Sequence, residues 1–319
     1  MKALTLSYPQ NGSALPKREL VDVPTPEPRA GEVRVRVHYA GLSYIDFETS
    51  NGEHRRAVER ALKKSPVASG IEMAGIAETD GSKIKKGDRV FGYTHITRGP
   101  FYHAQLVATP ESNLAVVPDD MSLEGAVSIV GGALTSINAL ERIARIRRGA
   151  NVLVTAATGS VGTTAVQLAR HLGADVSAVC HSSQREFAMT LGASSAYAYD
   201  DDELPKPEEQ FDVVFDAAPS LPFSVAQLFL RKGGVYVSTM PHRDATGWMR
   251  SLFSSRRWGF LLEHNTDAKR MERLRALVAV GAFSPTVDSI FPVEDAGEAF
   301  ARQQTSGKRG KILLDFRDI

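Results

Sequence analysis

Two rhythms of apolar residues divide this chain. Over roughly the first 120 residues, short runs alternate apolar and polar positions: Glu32 to Tyr39, Gly75 to Glu78, Arg89 to Gly92 and His103 to Val107. Clusters of Pro, Gly and Asp separate them. Such alternation marks half-buried strands, so this part predicts a small β-rich domain. From Leu123 onward, helical periodicity takes over and is interleaved with continuous apolar runs. Those at Val152 to Thr155, Asp175 to Cys180, Phe211 to Phe215 and Gly234 to Thr239 predict strands covered on both faces, hence a parallel sheet between helices. A helical stretch over Ala268 to Val280, a Gly281 to Pro285 turn and two strand-like runs, Val287 to Phe291 and Lys311 to Phe316, predict a return to the first domain. The expected organisation is a β-rich domain over 1–122, an α/β doubly wound domain over 123–258, and the return over 259–319.

The sharpest signal lies in Val152 to Gly162, Val-Leu-Val-Thr-Ala-Ala-Thr-Gly-Ser-Val-Gly. A strand runs into a turn of small residues, and a helix follows over Thr163 to His171. Ala157, Gly159 and Gly162 fall at the three small-residue positions of a dinucleotide-binding G-x-G-x-x-G turn, with Ser160 and Val161 between the last two. Gly159 would let a pyrophosphate approach the backbone, Gly162 would let helix and strand pack closely, and the helix amino end would face the phosphates. Ala at the first position departs from the pattern, because a sharp turn there favours Gly. The next strand closes a βαβ unit of about 30 residues, the Rossmann arrangement.

Composition narrows the class without choosing a chemistry. The 319 residues are 43% apolar and 24% charged, with net charge +1. That describes an ordinary globular protein and offers no electrostatic case for nucleic acid or an anionic membrane. No uninterrupted apolar run reaches the roughly 18 residues of a membrane span. The single cysteine, Cys180, excludes an internal disulfide and a thiolate-built zinc site, and fits a reducing cytoplasmic setting. The eight histidines show no metal-ligand spacing. Residues 53 to 64 form a basic helical patch, read as a solvated helix or as a surface for an anionic substrate tail. Gly247 to Trp258 mixes Trp248, Leu252, Phe253 and Trp258 with arginines and reads as a connecting segment or lid.

Several ordered motifs carry a resemblance over nearly the whole chain. They are Gly70-Ile71-Glu72-x-x-Gly75, Gly87 to Gly92, Ala133-Leu134-Thr135, the Ala157/Gly159/Gly162 turn, Phe211 to Asp216 and Gly307 to Lys311. In these the chain resembles the zinc-independent branch of the medium-chain dehydrogenase/reductase superfamily, near its NADPH-dependent quinone oxidoreductases and enoyl reductases. The resemblance implies a GroES-like catalytic domain, a Rossmann cofactor domain and a homodimer formed by edge pairing of cofactor-domain sheets. Zinc-dependent members carry a metal-binding His where this chain has Ile71, so no metal is expected.

NAD-type enzymes place a carboxylate about 20 residues beyond the glycines, on the ribose hydroxyls. Here the matching stretch is Cys180-His181-Ser182-Ser183-Gln184-Arg185, without a carboxylate until Glu186. Hydroxyls and a cation suit a 2′-phosphate, so NADPH is expected, held by Ser182, Ser183 and Arg185. Resemblance adds Tyr199 beside the adenine ribose, Thr135 and Met240 toward the nicotinamide, and Asn265 and Lys311 near the phosphates or ribose.

The acceptor side is read from Ser43-Tyr44-Ile45-Asp46, which matches a segment lining the active site in relatives. Reducing a conjugated carbonyl needs hydride at one carbon, a hydrogen-bond donor at the oxygen and then a proton. Tyr44 is the candidate donor, Asp46 a candidate for fixing the loop, and His54 a candidate for assisting protonation. Ser43, Ser50 and His54 replace residues usual in quinone reductases, which puts quinone specificity in question. Three readings follow: an NADPH-dependent reductase of quinones or α,β-unsaturated carbonyls, an enoyl-thioester reductase, or a non-catalytic NADPH-binding protein.

Overall fold

The computed structural model describes residues 1–7, 16–53, 55–63, 69–94, 99–206, 210–261 and 268–319. The chain opens with β1 (Lys2–Ser7) and β2 (Lys17–Asp22), an antiparallel pair. β3 (Glu32–Leu42) follows, then α1 (Tyr44–Ser50), α2 (Arg55–Leu62), β4 (Glu72–Ala77), β5 (Arg89–Tyr93), β6 (Leu106–Pro110) and β7 (Leu114–Val116). β3 is the spine of this half, pairing antiparallel with both β4 and β6. Its alternation does what the pattern predicts: Val33, Val35 and Val37 are buried, while Arg34 and Arg36 lean outward.

Helix α3 (Leu123–Ser136) begins at Ser122, whose hydroxyl caps the Gly125 N–H, and continues as a π-helical segment, Ile137–Ala144. By length and composition the joined helix could cross a membrane, but 83% of its most apolar window is buried inside the protein. It is a core helix. The parallel sheet comes next: β8 (Asn151–Thr155), α4 (Ser160–His171), β9 (Asp175–Cys180), α5 (Arg185–Thr190), β10 (Ser195–Ala198), β11 (Phe211–Asp216), α6 (Phe223–Phe229), β12 (Leu230–Ser238), α7 (Ala245–Ser251) and β13 (Arg257–Phe260). Spatial order is β10-β9-β8-β11-β12-β13, all parallel, so the winding reverses between β8 and β11. Open sheets of this kind bind ligands in the crevice at that reversal. Val152, Leu153 and Val154 are fully buried, as a strand covered on both faces requires.

The chain then returns through α8 (Ala268–Ala279), β14 (Val287–Pro292), α9 (Ala296–Gln304) and β15 (Lys311–Asp315). β15 pairs antiparallel with β3, so the last strand completes the first sheet. The doubly wound sheet beside a GroES-like β domain is therefore the architecture. Three local differences stand out. The expected boundary at 258 falls inside β13, which extends the parallel sheet to Phe260. The segment expected to be a connection or lid is helix α7 followed by that edge strand. His103 precedes β6, because residues 103 and 104 serve β1 instead: the Leu4 N–H donates to the His103 carbonyl, and Ala3 bridges to Ala104.

Candidate active site

The turn after β8 is shaped by contacts that exclude side chains. A Cβ at Gly162 would collide with the Ala156 carbonyl oxygen and lie 2.6 Å from the Ala157 Cα, so α4 can seat on the strand only with Gly there. Gly159 differs: a Cβ would meet only the Ala156 carbonyl, at 3.4 Å, and otherwise points into open space. The left-handed residue of the turn is Ala156, at φ 46°, one position before the expected Ala157. That displacement explains why Ala157 need not be Gly. Ser160, the first residue of α4, has a buried hydroxyl oxygen with no hydrogen-bond partner among the described residues. An open face over Gly159, an unpartnered hydroxyl and a helix amino end together fit the diphosphate of a dinucleotide. Val161 is half-buried and packs on the core.

The sheet's carboxyl edge beside that turn carries a polar network that no local motif announces. Asp216, at the end of β11, is buried and accepts from Thr155 Oγ1 at 2.7 Å, Ser220 Oγ at 3.0 Å and Ser238 Oγ at 3.2 Å. Burial nonetheless holds its carboxyl above the ordinary range. Thr155 and Ser238 come from β8 and β12, so only folding brings them to this carboxylate, while Ser220 lies four residues beyond it. Met240 follows β12, and its N–H donates to Ser238 Oγ at 3.2 Å.

After β9, the groups assigned to a 2′-phosphate have partners within the chain. The Ser182 N–H and hydroxyl donate to Asp200 at 2.7 and 2.6 Å, and Ser183 Oγ lies 2.9 Å from His181 Nδ1. Arg185 is held by Asp201 at 3.2 Å and Glu203 at 2.6 Å. Tyr199 is exposed and sits edge-on to His181, with ring centres 5.9 Å apart. Arg309, outside the expected set, donates to Gln184 Oε1 and lies 5.3 Å over the Phe187 ring.

Lys311, expected near the phosphates or ribose, has its ammonium buried and paired with Glu72 Oε1 at 2.7 Å. The chain around it does reach the glycine turn, because the Gly310 N–H donates to the Thr158 carbonyl at 2.8 Å. Backbone, rather than the lysine, makes that approach. Glu72 Oε2 has no partner among the described residues, and burial drives the Glu72 carboxyl upward. Gly41 and Gly131 face this carboxylate closely, and a Cβ at either would press into it.

On the acceptor side, Asp46 fastens the start of α1. Its Oδ2 accepts from the Ser43 N–H at 2.9 Å and hydroxyl at 2.6 Å, and its Oδ1 accepts from the Gly70 N–H at 2.9 Å. Those bonds place the Gly70-Ile71-Glu72 segment beside Tyr44, the first residue of α1. Tyr44 is 40% exposed and presents its ring to solvent and to Arg243. Arg243 comes from the turn after β12 and crosses to the other domain. It pairs with buried Glu48 at 2.7 Å and with Glu53 at 3.2 Å, and its guanidinium lies 5.8 Å from the Tyr44 ring centre. Nothing in the local sequence flags Arg243, because its partners lie about 190 residues away. Thr135 lies in the last turn of α3, where its hydroxyl donates to the Gly131 carbonyl at 2.8 Å. His54 and Asn265 lie outside the described residues. Among the described residues, no group of three His, Cys, Asp or Glu side chains is placed to hold a metal.

Comparison with known proteins fits this geometry. Residues 29–133 match the alcohol dehydrogenase GroES-like domain family, and residues 191–314 match the zinc-binding dehydrogenase family. A chloroplast envelope quinone oxidoreductase homolog from Arabidopsis thaliana is 29% identical, covering 97% of both chains. A 2-methylene-furan-3-one reductase from Solanum lycopersicum is 25% identical over 97% of this chain and 78% of its own. The quinone oxidoreductase structure from Coxiella burnetii superposes with a TM-score of 0.82 at 25% identity, over 99% of this chain and all of the other. The GroES-like sheet, the doubly wound sheet with its small-residue turn after β8, and these matches make this chain a medium-chain dehydrogenase/reductase of the quinone oxidoreductase branch, a family of oxidoreductases that bind a nicotinamide cofactor.

Proposed function

We propose that this protein is a reductase in which a bound reduced nicotinamide dinucleotide supplies hydride to a quinone or another α,β-unsaturated carbonyl, without zinc. The observation that carries the reading is the open, partner-seeking cradle formed by Gly159 and Ser160 at the amino end of α4. Gly162 and Ala157 hold that cradle against the sheet, while Thr135 and Met240 belong to segments flanking its nicotinamide side. Tyr44 donates to the acceptor oxygen, where negative charge develops, and Arg243 adds a cation beside its ring. Asp46 positions this loop: its two oxygens are spent on Ser43 and Gly70. The curated relatives named for quinone and methylene-furanone reduction support an electron-poor acceptor.

Zinc independence rests on ligand chemistry. Ile71 cannot bind a metal, and the chain's only cysteine is buried at the end of β9. That buried thiol also accords with a cytoplasmic setting. Among the described residues β13 has β12 as its one neighbour and presents exposed Phe260, which supports a homodimer formed along this edge.

The test follows reduced-coenzyme absorbance against a panel of quinones, enones and enoyl thioesters, with zinc measured on the same preparation. Turnover with quinone or enone acceptors and no stoichiometric zinc is expected, and Tyr44→Phe should lower kcat/KM about 100-fold, the size of one lost oxyanion donor. Absence of turnover with every acceptor would refute the reading.

A further inference from the structure

The ribose end of the coenzyme groove carries a carboxylate supplied from an unexpected strand. In the parallel sheet, Ala198 at the end of β10 lies level with Cys180 at the end of β9. The turn that follows β10 therefore stands beside the turn that follows β9. Asp200 uses that adjacency: it takes both donors of Ser182, the backbone N–H at 2.7 Å and the hydroxyl at 2.6 Å. His181 Nε2 lies 3.4 Å from the same carboxylate. These donors stand where a second-strand residue of a doubly wound sheet meets the adenosine ribose.

From this we infer that Asp200 makes the protein select NADH over NADPH, an inference that rests on the coenzyme reading proposed above. A carboxylate accepts hydrogen bonds from the 2′- and 3′-hydroxyls of NADH. A 2′-phosphate brings only acceptors and about two negative charges to the same place. It would have to take Ser182 from Asp200 and then remain beside the displaced carboxylate. The cation that could offset this is committed elsewhere, because Arg185 is bound by Asp201 and Glu203. Position 183 brings no charge, since it holds Ser183, whose hydroxyl faces His181. Arg309 also reaches this end, but it is turned onto Gln184 and the Phe187 ring. Asp200 is thus a specificity-determining residue; it takes no part in hydride transfer. The sequence could not show it, because Asp200 lies about twice as far beyond the glycines as the acidic residue of the usual fingerprint.

The test is direct binding to the full chain, measured by nicotinamide fluorescence and calorimetry with NADH, NADPH and ADP-ribose. Wild-type protein should bind NADH about 30-fold more tightly than NADPH, the preference that one hydrogen bond to a charged group confers. Asp200→Asn keeps an acceptor for Ser182 but removes the charge, and should tighten NADPH at least about 10-fold while weakening NADH by a few fold. Asp200→Ser provides a second, smaller replacement with the same expected direction, and melting curves confirm that both variants fold. Equal or tighter binding of NADPH by the wild type would overturn the inference, as would an unchanged NADH to NADPH ratio in both folded variants. If ADP-ribose and both coenzymes fail to bind, the coenzyme reading itself falls, and this inference with it.

Discussion

The small-residue turn after β8 and the wall formed by Glu72, Lys311, Tyr44 and Arg243 are held in place by different means. At the turn, the decisive contacts are between backbone atoms: Gly162 against Ala156 and Ala157, Gly310 against Thr158. At the wall, they are between charged side chains from distant parts of the chain: Lys311 with Glu72, and Arg243 with Glu48 and Glu53. Backbone packing tolerates almost no change in residue size and is insensitive to charge. Side-chain pairing tolerates changes of size but fails when one partner is removed, since the other is left charged in a buried place. The turn is therefore steric and rigid in its requirements, and the wall is electrostatic and open to divergence.

The largest test of that contrast is Lys311→Met. It should destabilise the protein by about 3–5 kcal/mol, the usual cost of leaving a buried charge uncompensated. Chemical denaturation of this variant should show most of the loss recovered in the Glu72→Gln/Lys311→Met double variant. If the single variant were as stable as the wild type, the electrostatic account of the wall would be wrong.

Next comes a pair of single-methyl changes at the turn. Gly162→Ala forces a Cβ onto backbone and should cost about 1–3 kcal/mol of overpacking, seen as a lower melting temperature together with weaker coenzyme binding. Gly159→Ala adds its methyl to open space above the turn. It should leave the melting temperature within about 2 °C of wild type, while coenzyme affinity falls about 10-fold because the methyl stands in the cradle. Equal loss of stability in both variants would show that the two glycines do not divide the work in this way.

The smallest effect concerns Asp216, whose buried carboxyl is held above its ordinary range. A raised folded-state pKa contributes stability that is complete below the unfolded value, about 3.9, and is lost as pH rises through the folded value. The wild-type melting temperature relative to Asp216→Asn should therefore decline by about 2 °C as pH is raised from about 4 toward neutrality. Glu72 has the same sign but is present in both proteins, so it cancels. A difference that grew with pH would show Asp216 to be stabilised as the anion.

How much of this is legible in the sequence depends on the range of the forces involved. Alternation in β3, continuous burial in β8 and the spacing of Gly159 and Gly162 are local properties, written within a few residues of where they act. β10, Ser-Ala-Tyr-Ala, leaves no such trace, because it is short and carries no β-branched residue to mark it. The partners of Ser182 and Arg185 are hidden for a different reason. Both have the right chemistry for a phosphate, yet their partners Asp200, Asp201 and Glu203 reach them only through the pairing of β9 with β10.

The sequence by itself determined the two-domain α/β architecture and the place of the small-residue turn, because hydrophobic period and glycine spacing act over one turn or one strand. The tertiary structure alone decided that Lys311 meets Glu72, that Arg243 spans the domains beside Tyr44, and that Asp200 meets Ser182. Those pairings join residues from 18 to 239 positions apart, and a charge finds its partner only once sheet order and domain packing have set both in place.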